Sequence, residues 1–189
     1  SMHLYIGEEA VAATVCHLLR KEDFILSTHR GHGHCIAKGA KLNLMMAELL
    51  GKEAGYSKGR GGSMHIVETE NGNLGANGVV GGGLPMSVGA GLSIQNRGTD
   101  QVAVCFFGDG ASNQGTFHES INMASNWKLP VIYVCENNLY GLSTAAKEST
   151  SVEDISVRAA GYNIPGITVD GNDVFAVYEA AEKAIKRAK

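Results

Sequence analysis

Residues 101–138 of the chain read QVAVCFFGDGASNQGTFHESINMASNWKLPVIYVCENN. Two apolar runs, residues 101–107 and 130–136, have the composition of buried strands, and the amphipathic stretch between them predicts a helix. A strand, a helix and a second strand within about 35 residues form a βαβ unit, in which the two strands are parallel. Solidly apolar strands are typical of a parallel sheet covered on both faces. The stretch therefore predicts an α/β fold with a parallel sheet flanked by helices.

The rest of the chain supplies further elements of the same kind. The helix of the βαβ unit is predicted to begin with Ser112 or Asn113 as its N-cap. Because we find no repeat, low-complexity tract or linker, residues 1–189 are expected to form a single domain. Hydrophobic periodicity predicts helices at residues 8–19, 41–51 and 174–189, strands at residues 23–28 and 166–171, and an exposed mobile loop at residues 55–65. Residues 73–98 are predicted to be a glycine loop that runs into a further helix.

Composition narrows the classes of function. The 189 residues carry a net charge of -3 and are 44% hydrophobic, so nothing indicates nucleic acid or an anionic membrane as the main partner. The single RGG triplet, at residues 60–62, is too little in a slightly acidic chain to indicate RNA binding. No apolar run reaches the roughly 18 residues needed to span a bilayer, and residues 1–10 do not resemble a signal peptide. With four scattered cysteines expected to stay reduced, the interpretation is a cytoplasmic protein.

Polar side chains follow both strands of the βαβ unit. Asp109 lies between two glycines after the first strand, and Asn137 and Asn138 follow the second. Since the carboxyl ends of parallel strands share one edge of a sheet, these oxygen donors are expected to converge, and hard oxygen donors suit Mg²⁺ or Ca²⁺. A divalent ion would bridge Asp109 to a phosphate group. The backbone N–H groups of Gly110 and Ala111 can then bind the phosphate oxygens.

The same residues carry a family resemblance. GDGASNQG (108–115) followed by WKLPVIYVCENN (127–138) resembles the thiamine diphosphate motif, which runs from GDG to a paired asparagine. Four further segments resemble, in order, the α chains of thiamine-dependent 2-oxo acid dehydrogenases and acetoin dehydrogenase: HLYIGEEA (3–10), STHRGHGH (27–34), KGRGGSMH (58–65) and NLGANGVVGGG (73–83). The resemblance covers essentially the whole chain and implies the thiamine-diphosphate-binding fold. The family's chains extend further at both ends, so residues 1–189 are expected to be part of a longer α chain.

The resemblance assigns a role to individual residues. It implies that Asp109 and Asn138 bind Mg²⁺ through their side chains, that Tyr140 binds it through its backbone carbonyl, and that Arg30 pairs with the diphosphate. A second group, by the same resemblance, serves the organic part of the cofactor and the substrate. The backbone at Gly78 and Val80 holds the aminopyrimidine, the apolar Leu142 bends the cofactor, and His3 and His29 face the reacting carbon as catalytic residues.

What the resemblance implies about activity is specific. The cofactors are thiamine diphosphate and Mg²⁺, and the reaction is decarboxylation of a 2-oxo acid such as pyruvate, or cleavage of acetoin, with transfer of the two-carbon unit to a lipoyl group. The glutamate that activates the cofactor lies on a separate β chain in the related enzymes. The implied partners are therefore this β subunit, in an α₂β₂ heterotetramer, and a lipoyl-bearing acyltransferase. Residues 29–39 and 158–180 resemble acetoin dehydrogenase slightly more than pyruvate dehydrogenase.

Other interpretations of the motifs fit the sequence less well. An NAD-binding Rossmann oxidoreductase is disfavoured because Asn113 stands where the third glycine of the GxGxxG pattern belongs. A non-catalytic module would leave Asp109 and Asn138 without a role. His29, His32 and His34 lack the usual spacing of structural zinc ligands and have no cysteine pair beside them. We expect His32 to order its loop and His17 to lie on the surface.

Overall fold

A computed structural model describes residues 2–189 and contains one parallel sheet. Within these residues the main sheet has the strand order β2-β1-β3-β4, and every neighbouring pair is parallel. Its strands are β1 (Phe24–Thr28), β2 (Asn73–Asn77), β3 (Ala103–Gly108) and β4 (Val131–Glu136). A short antiparallel hairpin follows, formed by β5 (Tyr140–Gly141) and β6 (Thr144–Ala145). The parallel sheet predicted from the two apolar runs is thus confirmed.

Helices cover both faces of this sheet. The α-helices are α1 (Glu9–Leu18), α2 (His32–Ala37), α3 (Leu42–Leu49), α4 (Gly83–Arg97), α5 (Gly115–Asn126), α6 (Ala146–Ser149) and α7 (Val174–Ala188). Short 3-10 helices occur at Gly62–Met64, Thr69–Asn71, Asp109–Asn113 and Ile155–Tyr162. Helices α4 and α5 pack together on one face, and α1 and α7 pack together on the other. The fold is a helix, sheet, helix sandwich.

The core follows from the alternation of side chains along β3. Val104 and Phe106 point to the α1 and α7 face, whereas Cys105 and Phe107 point to the α4 and α5 face. Residues 103–107 are all buried. A strand buried on both faces requires a continuous apolar sequence, which explains the absence of polar residues in this run.

Strand order creates a crevice at one edge of the sheet. The chain passes from β1 to β2 on one side and then returns to place β3 on the other side of β1. Open α/β sheets bind ligands at such a reversal, beyond the carboxyl ends of the strands. The loops after β1 and β3 flank this position, and they contain Arg30 and Asp109 respectively.

Two predictions for secondary structure are wrong. Residues 166–171 form no strand; they line a cavity that β4 also lines, and the side chains of Ile167 and Val169 are exposed. The helix of the βαβ unit does not begin with Ser112 or Asn113, because both lie inside the 3-10 helix Asp109–Asn113 and Gln114 precedes α5. The Ser112 hydroxyl instead donates to the Asp109 carbonyl over 2.7 Å.

The loop at residues 55–65 is not the free loop that its sequence suggested. The carboxylate of Glu48, a fully buried residue of α3, accepts hydrogen bonds from four backbone amides of this loop. These are the amides of Ser57, Gly59, Gly61 and Gly62, at distances of 2.7, 2.9, 2.7 and 3.1 Å. The loop therefore has a defined conformation around one carboxylate.

Candidate functional site

The residues singled out from the sequence collect at the carboxyl edge of the sheet. His29 and Arg30 follow β1, Gly78 follows β2, Asp109 follows β3, and Asn137 and Asn138 follow β4. Gly108 and Glu136 are direct partners in the β3 and β4 pairing. Neighbouring strands lie about 4.8 Å apart, so the loop that begins at Asp109 and the loop that begins at Asn137 start side by side.

Asp109 is a buried carboxylate, with only 4% of its surface exposed. Burial raises the pKa of Asp109, and the backbone amides of Asp109 itself and Gly110 partly oppose that rise. The structure thus holds a desolvated acid with no cationic side chain bonded to it among the described residues. A divalent cation at this position would favour the ionised form, as oxygen ligands require.

Asn137 and Asn138 shape the turn that follows β4. The Oδ1 atom of Asn137 accepts from the Leu139 amide over 3.1 Å, and the Oδ1 atom of Asn138 accepts from the Tyr140 amide over 3.2 Å. The Nδ2 group of Asn138 donates to the Glu8 carboxylate over 3.1 Å. The Oδ1 atom of Asn138 keeps a second lone pair, so it remains able to bind a metal ion.

The GDG segment and the hairpin approach each other closely. A Cβ atom placed on Gly110 would lie 3.6 Å from the Cα atom of Gly141. This contact brings the 3-10 helix Asp109–Asn113 against β5, where Tyr140 lies. Leu142 forms the tip of the hairpin with a φ of +57°, and 94% of its surface is exposed. The predicted metal ligands and the apolar residue therefore share one corner of the molecule.

Arg30 and the two candidate catalytic histidines lie together beyond β1. The rings of His3 and His29 are 4.7 Å apart in an edge-to-face arrangement. The Nη1 group of Arg30 donates to the Leu4 carbonyl over 2.7 Å, which ties the N-terminal segment to this loop. Burial, followed by the positive neighbours His3 and Arg30, lowers the pKa of His29. A neutral imidazole of this kind can accept a proton near neutral pH.

The loop after β2 supplies a backbone surface. A Cβ atom on Gly78 would lie 3.1 Å from Nε2 of His65, so only glycine lets the two loops meet here without displacement. Val80 is exposed, as a residue that offers its backbone to a ligand can be. The loop 55–65 is also held at His32, whose Nε2 atom lies 3.0 Å from the Ser63 hydroxyl. His32 begins α2 and contacts the loop 55–65 rather than ordering its own loop, whereas His17 is exposed on α1 as predicted.

Sequence reasoning missed a buried polar cluster beneath this edge. Tyr5 and His34 both contact the carboxylate of Glu136, the last residue of β4, and His34 also contacts Ser27 of β1. His34 stacks on Phe106 with 3.8 Å between ring centres. The available signals were Glu136 at the end of an apolar run and His34 within a glycine-rich motif. Neither reveals a partner, because the contacting residues are far apart in the sequence.

The donors predicted from the sequence would suit Mg²⁺ and a diphosphate better than a softer metal. One carboxylate, one amide oxygen and one backbone carbonyl are hard oxygen donors, which leave positions for water and phosphate oxygens. Arg30 supplies a fork of donors for an anion nearby. The histidines of residues 29–34 lie in three different environments: His29 against His3, His32 against Ser63 and His34 in the buried cluster.

Comparison with known proteins places this chain in a family. A model of the dehydrogenase E1 component family matches residues 1–189. The chain belongs to this family. The α subunit of acetoin:2,6-dichlorophenolindophenol oxidoreductase from Bacillus subtilis is 57% identical over 188 residues, which are 100% of this chain and 56% of the relative. The pyruvate dehydrogenase E1 α subunit from Porphyra purpurea is 44% identical over an alignment of 195 positions, which covers 100% of this chain and 57% of the relative.

The solved structures agree on the fold of this E1 chain. Benzoylformate decarboxylase from Polynucleobacter necessarius superposes with a TM-score of 0.64 at 18% identity, covering 98% of this chain and 32% of the decarboxylase. The chain spans about half the length of the curated relatives it matches. Among residues 2–189, no helix has the length and apolar character needed to cross a membrane.

Proposed function

We propose that this chain is the diphosphate-binding domain of the α subunit of an enzyme that requires thiamine diphosphate and Mg²⁺. The enzyme decarboxylates a 2-oxo acid such as pyruvate, or cleaves acetoin, and transfers the two-carbon unit to a lipoyl group of an acyltransferase. The observation that carries the proposal is the position of Asp109, Asn138 and Arg30 in the loops that follow β3, β4 and β1, at one edge of the sheet. Membership of the E1 family supports it.

Each residue of the site has a defined task in this proposal. Asp109 and Asn138 would hold Mg²⁺ by side-chain oxygens and Tyr140 would hold it by its carbonyl, and the ion would supply positive charge for the diphosphate. The backbone amides of Gly110 and Ala111 bind phosphate oxygens, and Arg30 pairs with the same group. When bound, thiamine diphosphate supplies the carbon nucleophile that attacks the substrate carbonyl.

The remaining residues act on the organic part of the ligands. The backbone at Gly78 and Val80 would position the aminopyrimidine of the cofactor, and the apolar side chain of Leu142 would pack against the cofactor. His3 and His29 bind and move protons at the reacting carbon, as their paired rings in the crevice after β1 allow. In this proposal the glutamate that completes the site comes from a β subunit in an α₂β₂ assembly, so the α chain alone should not turn over substrate at the full rate.

Acetoin is the favoured substrate. The α subunits named for acetoin from Bacillus subtilis and Cupriavidus necator are 57% and 54% identical to this chain, whereas the Porphyra purpurea pyruvate dehydrogenase subunit is 44% identical. Assay of the assembled αβ enzyme with acetoin, pyruvate, 2-oxobutanoate and branched-chain 2-oxo acids decides between them. The largest kcat/KM with acetoin is expected, and a larger value with pyruvate would reverse the assignment.

Calorimetry of the full-length chain with its β subunit tests the cofactor. Thiamine diphosphate should bind only when Mg²⁺ is present, and Asp109→Ala should abolish that binding because the metal loses its buried carboxylate. Asp100→Ala is the matched control: Asp100 is exposed at the opposite edge of the sheet, where it pairs with Arg20. Metal-independent binding of NAD, with no binding of thiamine diphosphate, would favour the Rossmann alternative and overturn the proposal.

A further inference from the structure

A buried polar cluster connects four separate segments directly beneath the candidate site. The hydroxyl of Tyr5 donates to Oε1 of Glu136 and lies 3.1 Å from Nε2 of His34. Nε2 of His34 lies 3.0 Å from the same Oε1 atom, and its Nδ1 lies 2.8 Å from the Ser27 hydroxyl. The four side chains come from the N-terminal segment, β1, α2 and the end of β4. None of them has a role in the proposed chemistry.

The hydrogen bonds of the cluster are mutually consistent. The Tyr5 hydroxyl donates to Oε1 of Glu136, and an Nε2–H group of His34 can donate to the same oxygen. Nδ1 of His34 is then left as the acceptor for the Ser27 hydroxyl. Burial, followed by the charge of Glu136, raises the pKa of Tyr5 and keeps its hydroxyl protonated. Each polar group at the centre of the cluster thus has a partner, which is the condition for a rigid buried network.

Two series of contacts connect this cluster to the candidate site. Glu136 is followed directly by Asn137 and Asn138, whose side chains fix the amides of Leu139 and Tyr140. Tyr5 lies in the segment that carries His3 and Glu8, and the Glu8 carboxylate accepts from the Asn138 amide group. The same segment is bonded to Arg30 through the Leu4 carbonyl. A shift of Tyr5 would therefore move both sides of the site.

Packing also restricts the position of the Tyr5 ring. A Cβ atom placed on Gly33 of α2 would overlap the ring of Tyr5. Alanine is normally favoured over glycine within a helix by about 1 kcal/mol, so a glycine here indicates that the ring needs the space. The motif HRGHGH thus supplies His34 as a bonding partner and Gly33 as room for the same tyrosine.

We propose that Tyr5, His34 and Glu136 are positioning residues that lock the N-terminal segment 3–8 to the turn 137–140, and so set the geometry of the cofactor site. This inference rests on the proposed function for the identity of the ligand. The locking itself is a property of the chain and can be measured without any ligand.

The experiment uses the full-length α chain assembled with its β subunit. Tyr5→Phe removes only the hydroxyl, and Tyr133→Phe is the matched control, because the Tyr133 hydroxyl contacts the Ser120 carbonyl on the α5 side of the sheet. Hydrogen exchange is measured at the amides of Leu139 and Tyr140, and calorimetry gives the Kd for thiamine diphosphate with Mg²⁺. Tyr5→Phe should accelerate exchange and weaken binding by about tenfold each, whereas Tyr133→Phe should change neither.

A second variant tests the same role in case Tyr5→Phe fails to fold. Gly33→Ala keeps every polar group and displaces the Tyr5 ring, so it should accelerate the same two amides. Unchanged exchange at Leu139 and Tyr140 in both variants, or equal acceleration in Tyr133→Phe, would overturn the positioning role. If the wild-type enzyme binds no thiamine diphosphate, the proposed function fails while the exchange comparison still decides the inference.

Discussion

Leu142 combines an unfavourable backbone conformation with an exposed apolar side chain. Its φ of +57° lies in the left-handed region, which costs a non-glycine residue about 1–2 kcal/mol. Glycine avoids this cost but loses about 0.4–1 kcal/mol through the greater entropy of the unfolded chain. Strained residues of this kind often occur at functional sites.

We therefore expect Leu142→Gly to increase the stability of the chain and to decrease its affinity for the cofactor. The variant should raise the free energy of unfolding by about 0.5 kcal/mol, measured by urea denaturation of the chain. It should also weaken binding of thiamine diphosphate by the assembled enzyme, since the apolar support of the bent cofactor is lost. Leu142→Asn separates the two effects, because asparagine tolerates the left-handed region but is polar. Unchanged affinity in both variants would contradict the role assigned to Leu142.

His29 makes stability depend on pH. Burial, then His3 and Arg30, lowers the pKa of His29 from its usual value of 6.5, so the unfolded chain binds this proton more readily than the folded chain. Stability is then retained above the unfolded pKa and lost as the pH falls below it. His29→Asn should lose less free energy of unfolding than wild type between about pH 8 and pH 5.5. Part of the loss should remain, because burial lowers the pKa of His32 as well.

The control for this measurement is His17→Asn, at an exposed position on α1. Urea unfolding curves collected across the pH range give the free energy for each protein. We expect the His17→Asn curve to follow wild type. Parallel pH profiles for His29→Asn and wild type would show that His29 does not carry this dependence.

At the residue scale, the sequence reveals roles that depend on local motifs and hides those that depend on distant contacts. Asp109 and Asn138 were found because each follows an apolar strand run, and the fold places their loops side by side. Tyr5 and Glu136 were missed because their bond joins residues 131 positions apart. A tyrosine near the N-terminus carries no local sign of such a partner.

At the scale of elements, α3 and the loop after it behave as one unit through Glu48. Burial by itself raises the pKa of Glu48, but the four loop amides outweigh burial and hold the pKa below its usual value. Glu48 therefore stabilises the fold above its unfolded pKa, and this contribution is lost as the pH falls through the folded pKa. This role of Glu48 could not be predicted from the sequence, because a glutamate in an amphipathic helix is normally solvated.

Glu48→Gln should weaken the hydrogen bonds that hold loop 55–65 against α3. An amide offers one acceptor oxygen where the carboxylate offers two, so about 3 kcal/mol of unfolding free energy should be lost. Trypsin should then cleave faster after Lys58 or Arg60, which lie in the loop and are exposed. Glu53→Gln, at an exposed position just before the loop, serves as the control. Equal cleavage rates in the two variants would mean that the carboxylate does not hold the loop.

Residues 166–171 show that an alternating hydrophobic pattern is not sufficient to form a strand. Ile167 and Val169 alternate as they would in a half-buried strand, yet both are exposed and β4 pairs only with β3 among the described residues. Alternation indicates which side chains share a face, but a strand forms only when its backbone groups find a partner. The helices α1, α4 and α7 were easier to predict, because each satisfies its own backbone hydrogen bonds.

At the scale of the whole molecule, we infer that residues 1–189 unfold as a single domain. Ile25 of β1 is fully buried against the α1 and α7 face, while Trp127 lies at the end of α5 on the other face. Ile25→Ala should lower the free energy of unfolding by about 3 kcal/mol. Trp127 fluorescence and circular dichroism should report the same shifted transition in urea.

Ile6→Ala is the matched control, because Ile6 is exposed and its truncation leaves no cavity. It should leave the transition unchanged. A fluorescence transition that stays at its wild-type midpoint while the circular dichroism transition shifts would indicate two independent units. That result would contradict the single domain inferred from the absence of linkers.

The strand order β2-β1-β3-β4 also has a consequence for synthesis on the ribosome. β1 can pair with β2 once β2 has been synthesised, but the other edge of β1 stays unpaired until β3 is synthesised. The Asp23 carboxylate, just before β1, likewise has no bond to the Val102 amide until 79 more residues have been added. At about 5–20 residues per second, that wait lasts on the order of ten seconds. The α1 face gains Val177 only when α7 emerges. The nascent chain therefore exposes β1 to other chains during translation, and we expect chaperones to bind it at this stage.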